Sequence, residues 1–140
     1  NIEPNSIVVT NIDPDHLDYF KTKENYFNAS KKFLAKLPKF GSFISFLRGE
    51  NIMKILPENF HPRKYSAEDS MDDVPSLKIL GNFQKFNAAC AIETAKSLKI
   101  STEKAIESIK NYTGLAKRSD IIAKVKNITI INDYAHHPTS

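Results

Sequence analysis

The 140-residue sequence predicts an α/β fold, a mostly parallel sheet with flanking helices. Three observations carry that prediction. The run SIVVTNI (Ser6 to Ile12) is almost continuously β-branched and apolar, as expected of a strand buried on both faces of a parallel sheet. Tyr26, Phe27, Ser30, Phe33, Leu34 and Leu37 recur at helical spacing. Strand-like and helix-like segments then alternate along the chain with no internal repeat.

Taken in order, the first strand breaks at DPDHLD, polar and proline-containing, where the carboxyl edge of a sheet would meet a loop. Thr22 is placed to cap the helix TKENYFNASKKFLAKL, and Pro38 and Gly41 end it. SFISFL reads as a second strand and ENIMKIL as a short helix closed by Pro57. Residues 60–75 are polar and contain SAEDSMDD, so a loop or crossover is expected there, followed by a strand at SLKIL. Ala88, Ala91, Ala95 and Leu98 mark a helix whose small face suits close packing on a sheet. In STEKAIESIKNYTG, Ser101 or Thr102 caps a further helix. Ala105, Ile106, Ile109 and Tyr112 form its apolar face, and Gly114 stops it. NITIIND is the last predicted strand.

The length suits one domain, and 41% hydrophobic with 26% charged residues is an ordinary globular balance. A net charge of +4 is a mild excess, with lysines largely interleaved with acids, so small anionic ligands fit it at least as well as nucleic acid. Cys90 is the only cysteine, which excludes an internal disulfide and points to a reducing cytoplasm. No stretch approaches a membrane span and no basic-then-apolar leader opens the chain. The first residue is Asn1 rather than Met, and an excerpt of a longer protein is expected.

Four clusters could carry chemistry. TNIDPDHLD crowds Asn11, Asp13, Asp15, His16 and Asp18 after a strand; these are ingredients of a divalent-metal site beside a cleft, or of a solvated loop whose acids cap a helix. GNFQKFNAACA sets Asn82, Gln84 and Asn87 at a helix start, where amides could read a heterocycle or simply cap the helix, with Phe83 and Phe86 in the core. In YTGLAKRSD, Lys117 and Arg118 suit a phosphate or carboxylate clamp, or a solvated cationic helix end. In NDYAHHP, His136 and His137 are adjacent, and neighbours on an extended chain point apart, which argues against two ligands to one ion.

In their order and approximate spacing, VVTNIDPDHLDYF, GNFQKFNAA, YTGLAKRSD and INDYAHHPT resemble the ATP-dependent Mur ligases of peptidoglycan synthesis. The L-alanine-adding branch is the nearest in wording. The resemblance covers nearly the whole chain, with residues 42–76 contributing little. It implies the later part of a P-loop-type central ATP-binding domain at residues 1–132, then a hinge and the start of a carboxyl-terminal ligand-binding domain at 133–140. It implies ATP and Mg²⁺ as cofactors and UDP-N-acetylmuramate and L-alanine as substrates, in the cytoplasm, with no nucleic acid or membrane partner. By the same resemblance His16 would be a magnesium ligand, with Asn11 in the same pocket near the γ-phosphate. Asp15 and Asp18 would brace the loop. Phe83, Gln84 and Asn87 would surround adenine, Arg118 would contact the ATP phosphates, and Asp133 would approach the ribose. His136 and His137 would open the next domain.

Several positions depart from the family's pattern. Its adenine motif usually reads G-x-H-N-x-x-N-A, and Phe83 and Gln84 replace the histidine and the first asparagine. Paired arginines become Lys117 and Arg118, and Asn132 stands where an acid usually precedes Asp133. Lys31 lies fifteen residues after His16, where some relatives carry a carbamylated lysine that the alanine-adding branch does not generally use. No G-x-x-x-x-G-K-[ST] loop occurs among the four glycines, so the phosphate cradle and the glutamate that would share the magnesium are expected upstream of Asn1, and this chain alone is not expected to hydrolyse ATP. Without those upstream strands an apolar strand would be covered on one side only. Two other readings stand beside this one: a murein tripeptide ligase of wall recycling, and a degenerate, non-catalytic nucleotide-binding module.

Overall fold

A computed structural model describes residues 2–136. Three short strands, β1 (Ser6–Val9), β2 (Ser42–Ser45) and β3 (Arg63–Ser66), form a parallel sheet in that order. Ile7 lies opposite Phe43, and Phe43 opposite Lys64. Parallel neighbours need crossovers. The first is made by α1 (Leu17–Phe20) and α2 (Lys23–Leu34), the second by α3 (Glu50–Ile55). A 3-10 turn at Ala67–Ser70 follows β3, and then come α4 (Phe83–Ser97) and α5 (Thr102–Asn111). The chain closes on an antiparallel hairpin, β4 (Asp120–Val125) with β5 (Ile128–Asn132).

The helix boundaries follow their caps. The Thr22 hydroxyl accepts the Asn25 N–H at 3.1 Å, and the Ser101 hydroxyl accepts the Lys104 N–H at 3.3 Å. At the end of α4, Lys99 turns to φ 61° and the Ile100 N–H reaches back to the Ala95 carbonyl at 2.9 Å.

β2 is the central strand, and its Phe43, Ile44 and Ser45 are fully buried. Ile7, Leu34, Leu37, Phe43, Ile52 and Ile55 form the larger core cluster, under α2 and α3. Ala67, Ala89 and Cys90 form a second one, with Phe46 against it, where α4 lies on β2 and β3. The Ser45 hydroxyl donates to the Val9 carbonyl at 2.7 Å and ties the carboxyl ends of β1 and β2 together. A polar network fastens α4 to the 3-10 turn. The Ser70 hydroxyl donates to Glu93, while the Lys96 ammonium donates to Ser70 at 2.8 Å and to Asp73 at 2.7 Å.

Four expectations need correction. SLKIL is not a strand, as among the described residues it pairs with no other strand; Leu77 and Ile79 instead line a cleft. The polar stretch 60–75 is not only a loop, since it holds β3 and the 3-10 turn; β3 presents exposed Arg63 and Lys64, residues suited to a sheet edge, which hide its strand character. Among the described residues β1 is itself an edge strand, with Ile7 buried and Val8 exposed rather than both faces covered. The last predicted strand does form, but it pairs antiparallel with β4 in a separate sheet, and β4 was not foreseen.

Candidate active-site cleft

Beyond the carboxyl end of β1 the chain enters the loop 10–16, where a parallel sheet presents its ligand crevice. His16 adopts left-handed angles (φ 53°, ψ 41°) and its carbonyl accepts the Tyr19 and Phe20 N–H groups at 2.9 Å, opening α1. Asp15 Oδ1 accepts the His16 backbone N–H at 2.7 Å, and 69% of the His16 side chain is exposed. Asn51, on α3, donates its amide to the Ile12 carbonyl at 3.0 Å and braces the loop from beneath. Tyr26 of α2 faces the same space. Its burial, and then the charges of Asp15 and Asp13, push its phenol pKa above the ordinary value.

A second wall comes from α4. Gly81 takes φ +102°, which delivers Phe83, Gln84 and Asn87 in the first turns of the helix. The Asn87 amide nitrogen lies 3.4 Å from Gln84 Oε1, so the two amides form a pair on one face.

The third wall is the open end of the hairpin. Lys117 and Ser119, on either side of Arg118, both have positive φ (61° and 49°). Asp133 Oδ2 accepts the Ser119 N–H at 2.7 Å and its hydroxyl at 2.9 Å, and Oδ1 accepts the Ala135 N–H at 2.7 Å. The Tyr134 N–H donates to the Lys117 carbonyl at 2.9 Å. The Ala135 N–H first, then the Ser119 hydroxyl and N–H, hold the Asp133 carboxyl below the usual carboxylate range, with Arg118 adding to the effect. His136 reaches back so that its Nε2 lies 3.9 Å from Asp15 Oδ2, the same oxygen that lies 3.8 Å from His16 Nε2.

These walls enclose a cleft of about 1420 Å³. Asn11, His16, Phe83, Gln84, Asn87, Arg118 and Asp133, singled out from four separate stretches of sequence, all line it. His137 lies outside the described residues. Tyr26, Asn51 and Ser119 also belong to the cleft, and no sequence signal marked them, because each is an ordinary helix or turn residue until the fold brings it there. Among the described residues, no three His, Cys, Asp or Glu side chains gather as a metal site.

Residues 1–104 match the Mur ligase middle domain. The chain belongs to the Mur ligase family. Among its curated Mur ligase relatives, the UDP-N-acetylmuramate–L-alanine ligase of Desulforamulus reducens is 29% identical over 164 aligned positions, covering 99% of this chain and 36% of that protein. The ligase of the same name from Caldicellulosiruptor saccharolyticus is 30% identical over 165, covering 99% and 36%. The chain therefore spans about a third of the length of these relatives. The alignments are longer than the chain's 140 residues, so each relative carries positions that have no counterpart here. Two solved structures share the Mur ligase fold. MurF from Acinetobacter baumannii has a TM-score of 0.72 at 18% identity, over 98% of this chain and 35% of that one. The murein peptide ligase Mpl from Psychrobacter arcticus has a TM-score of 0.69 at 19% identity, over 99% and 33%.

Proposed function

We propose that this chain is the later part of the central ATP-binding domain of a ligase that joins L-alanine to UDP-N-acetylmuramate, with the next domain beginning near Asp133. The observation that carries the reading is the convergence of the four motif clusters on one cleft. The names of the relatives at 29% and 30% identity support the substrate.

In the reaction so proposed, an oxygen of the substrate carboxylate attacks the γ-phosphorus of ATP, ADP leaves, and an acyl phosphate forms. The alanine amine then attacks the acyl carbon, loses a proton and expels phosphate through a tetrahedral intermediate. The protein's part is positioning and charge. Arg118 places a guanidinium where nucleotide phosphates would lie, able to donate two parallel N–H groups. Phe83 offers a ring, 43% exposed, on which a base can stack, and the Gln84–Asn87 pair offers donors and an acceptor to its edge. Asp133 has three protein donors on its two oxygens, which leaves room for one ribose hydroxyl.

Magnesium would neutralise developing phosphate charge. His16, whose imidazole is largely exposed at the cleft, would hold such an ion as one ligand, alongside phosphate oxygens, water and the glutamate expected upstream of Asn1. Asn11, in the same loop, would donate to the transferred phosphoryl group.

The test uses the complete protein that carries this sequence, supplied with UDP-N-acetylmuramate, L-alanine, ATP and Mg²⁺. Phosphate release that depends on L-alanine is expected, and His16→Ala should lower turnover at least tenfold while the far-UV circular dichroism is kept. Release that depends on the murein tripeptide instead would assign the recycling enzyme. Neither activity, with ATP still bound, would assign a non-catalytic nucleotide-binding module.

A further inference from the structure

The hairpin that carries Arg118 is the least anchored element of the cleft. None of the β4 or β5 residues is buried, so no core packing fixes the direction in which its open end points. That end is instead fixed by polar contacts across the two chain segments just beyond the ladder. The last ladder pair is Asp120 with Asn132. Past it, the Ser119 N–H and hydroxyl both donate to Asp133 Oδ2, and the Tyr134 N–H donates to the Lys117 carbonyl. Arg118 lies between these two attachments, and a further bond from its N–H to the Leu115 carbonyl at 3.2 Å closes the turn.

Ser119 does this in a left-handed backbone conformation that is unfavourable for a residue with a β-carbon. A glycine would hold that conformation more easily, yet it would lack the hydroxyl. Its place in the turn is thus matched to its side chain's bond rather than to its backbone.

We infer that Ser119 is a positioning residue for nucleotide binding, acting through Asp133 to hold Arg118 over the cleft. Asp133 would then serve twice, offering its free lone pair to the ligand while its other oxygen locks the arginine-bearing turn. Because this deepens the ATP-binding reading of the same cleft, its test must fail separately from that reading.

Ser119→Gly keeps the backbone N–H, relieves the positive φ and removes only the hydroxyl bond. In the complete protein, KM for ATP, or Kd for ATP measured by calorimetry, should rise about tenfold, the ratio that one hydrogen bond to a charged acceptor supports. The melting temperature should not fall, and kcat should change less than KM. Ser119→Asn tolerates the left-handed conformation and restores a side-chain donor, so it should recover part of the affinity. Unchanged ATP affinity in Ser119→Gly would overturn the inference and leave the ATP reading intact. So would a loss of kcat and melting temperature together with no change in KM, the mark of a merely structural residue. A parent protein that binds no ATP would overturn both.

Discussion

Gly81 shows how one residue sets the α4 wall of the cleft. At φ +102° a β-carbon would be strained, and it would lie 2.4 Å from the Phe83 ring. Gly81→Ala should therefore push Phe83 away from the cleft and disturb the start of α4. The expected outcome is weaker ATP binding by at least several-fold, with a stability loss of about 1–2 kcal/mol, read by calorimetry and urea unfolding on the same preparation. Cys90 is the opposite case. Burial, and then the Glu68 charge, push its thiol up to about 11, so it is a core atom rather than a nucleophile. At this scale Asn11, His16, Arg118 and Asp133 stand out chemically where they occur in the sequence, and all four line the cleft. The sequence left Ser119 unmarked, since a serine before a strand has no distinguishing spacing, and its partner Asp133 lies fourteen residues away.

α4 joins the cleft to the core. Its first turns carry Phe83, Gln84 and Asn87, while Ala88, Ala89, Cys90 and Ile92 are buried further along. Glu93, only 8% exposed, fixes the far end of the helix through Ser70 and lies 3.8 Å from Lys96. Glu93→Ala removes the carboxylate that faces Ser70 and the Lys96 ammonium. A loss of about 2 kcal/mol in unfolding free energy is expected, measured by chemical denaturation; a change within error would show that the network adds nothing net. α2 and α5 are found where periodicity and caps place them, α4 where its small-residue spacing does, and α3 before Pro57, because those signals are local. β3, β4 and the failed strand at 76–80 are the misses. Four-residue β3 has charged, exposed side chains, and an apolar alternation such as SLKIL forms a strand only where a partner edge is at hand.

Across the whole molecule, packing is uneven. β1, β2 and β3 share a core with Phe43 and Ile44 wholly buried, whereas β4 and β5 expose Ile122, Val125, Ile128 and Ile131. A two-stranded ribbon without a covered face is marginal in water. Hydrogen exchange on the 140-residue chain should then show the amides of β2 protected near the global limit, and those of the β4–β5 ladder exchanging much faster. Equal protection in the two sheets would mean that the hairpin draws stability from contacts beyond its own ladder. By itself the sequence determined the α/β class, the four helices of six residues or more, and the polar residues that line the cleft, because periodicity and side-chain chemistry are legible over a few positions. Only the tertiary structure decided that β4 and β5 form their own sheet, and that loop 10–16, α4 and the turn at 117–119 face one another. Those facts depend on pairing between residues dozens of positions apart, which short-range pattern does not specify.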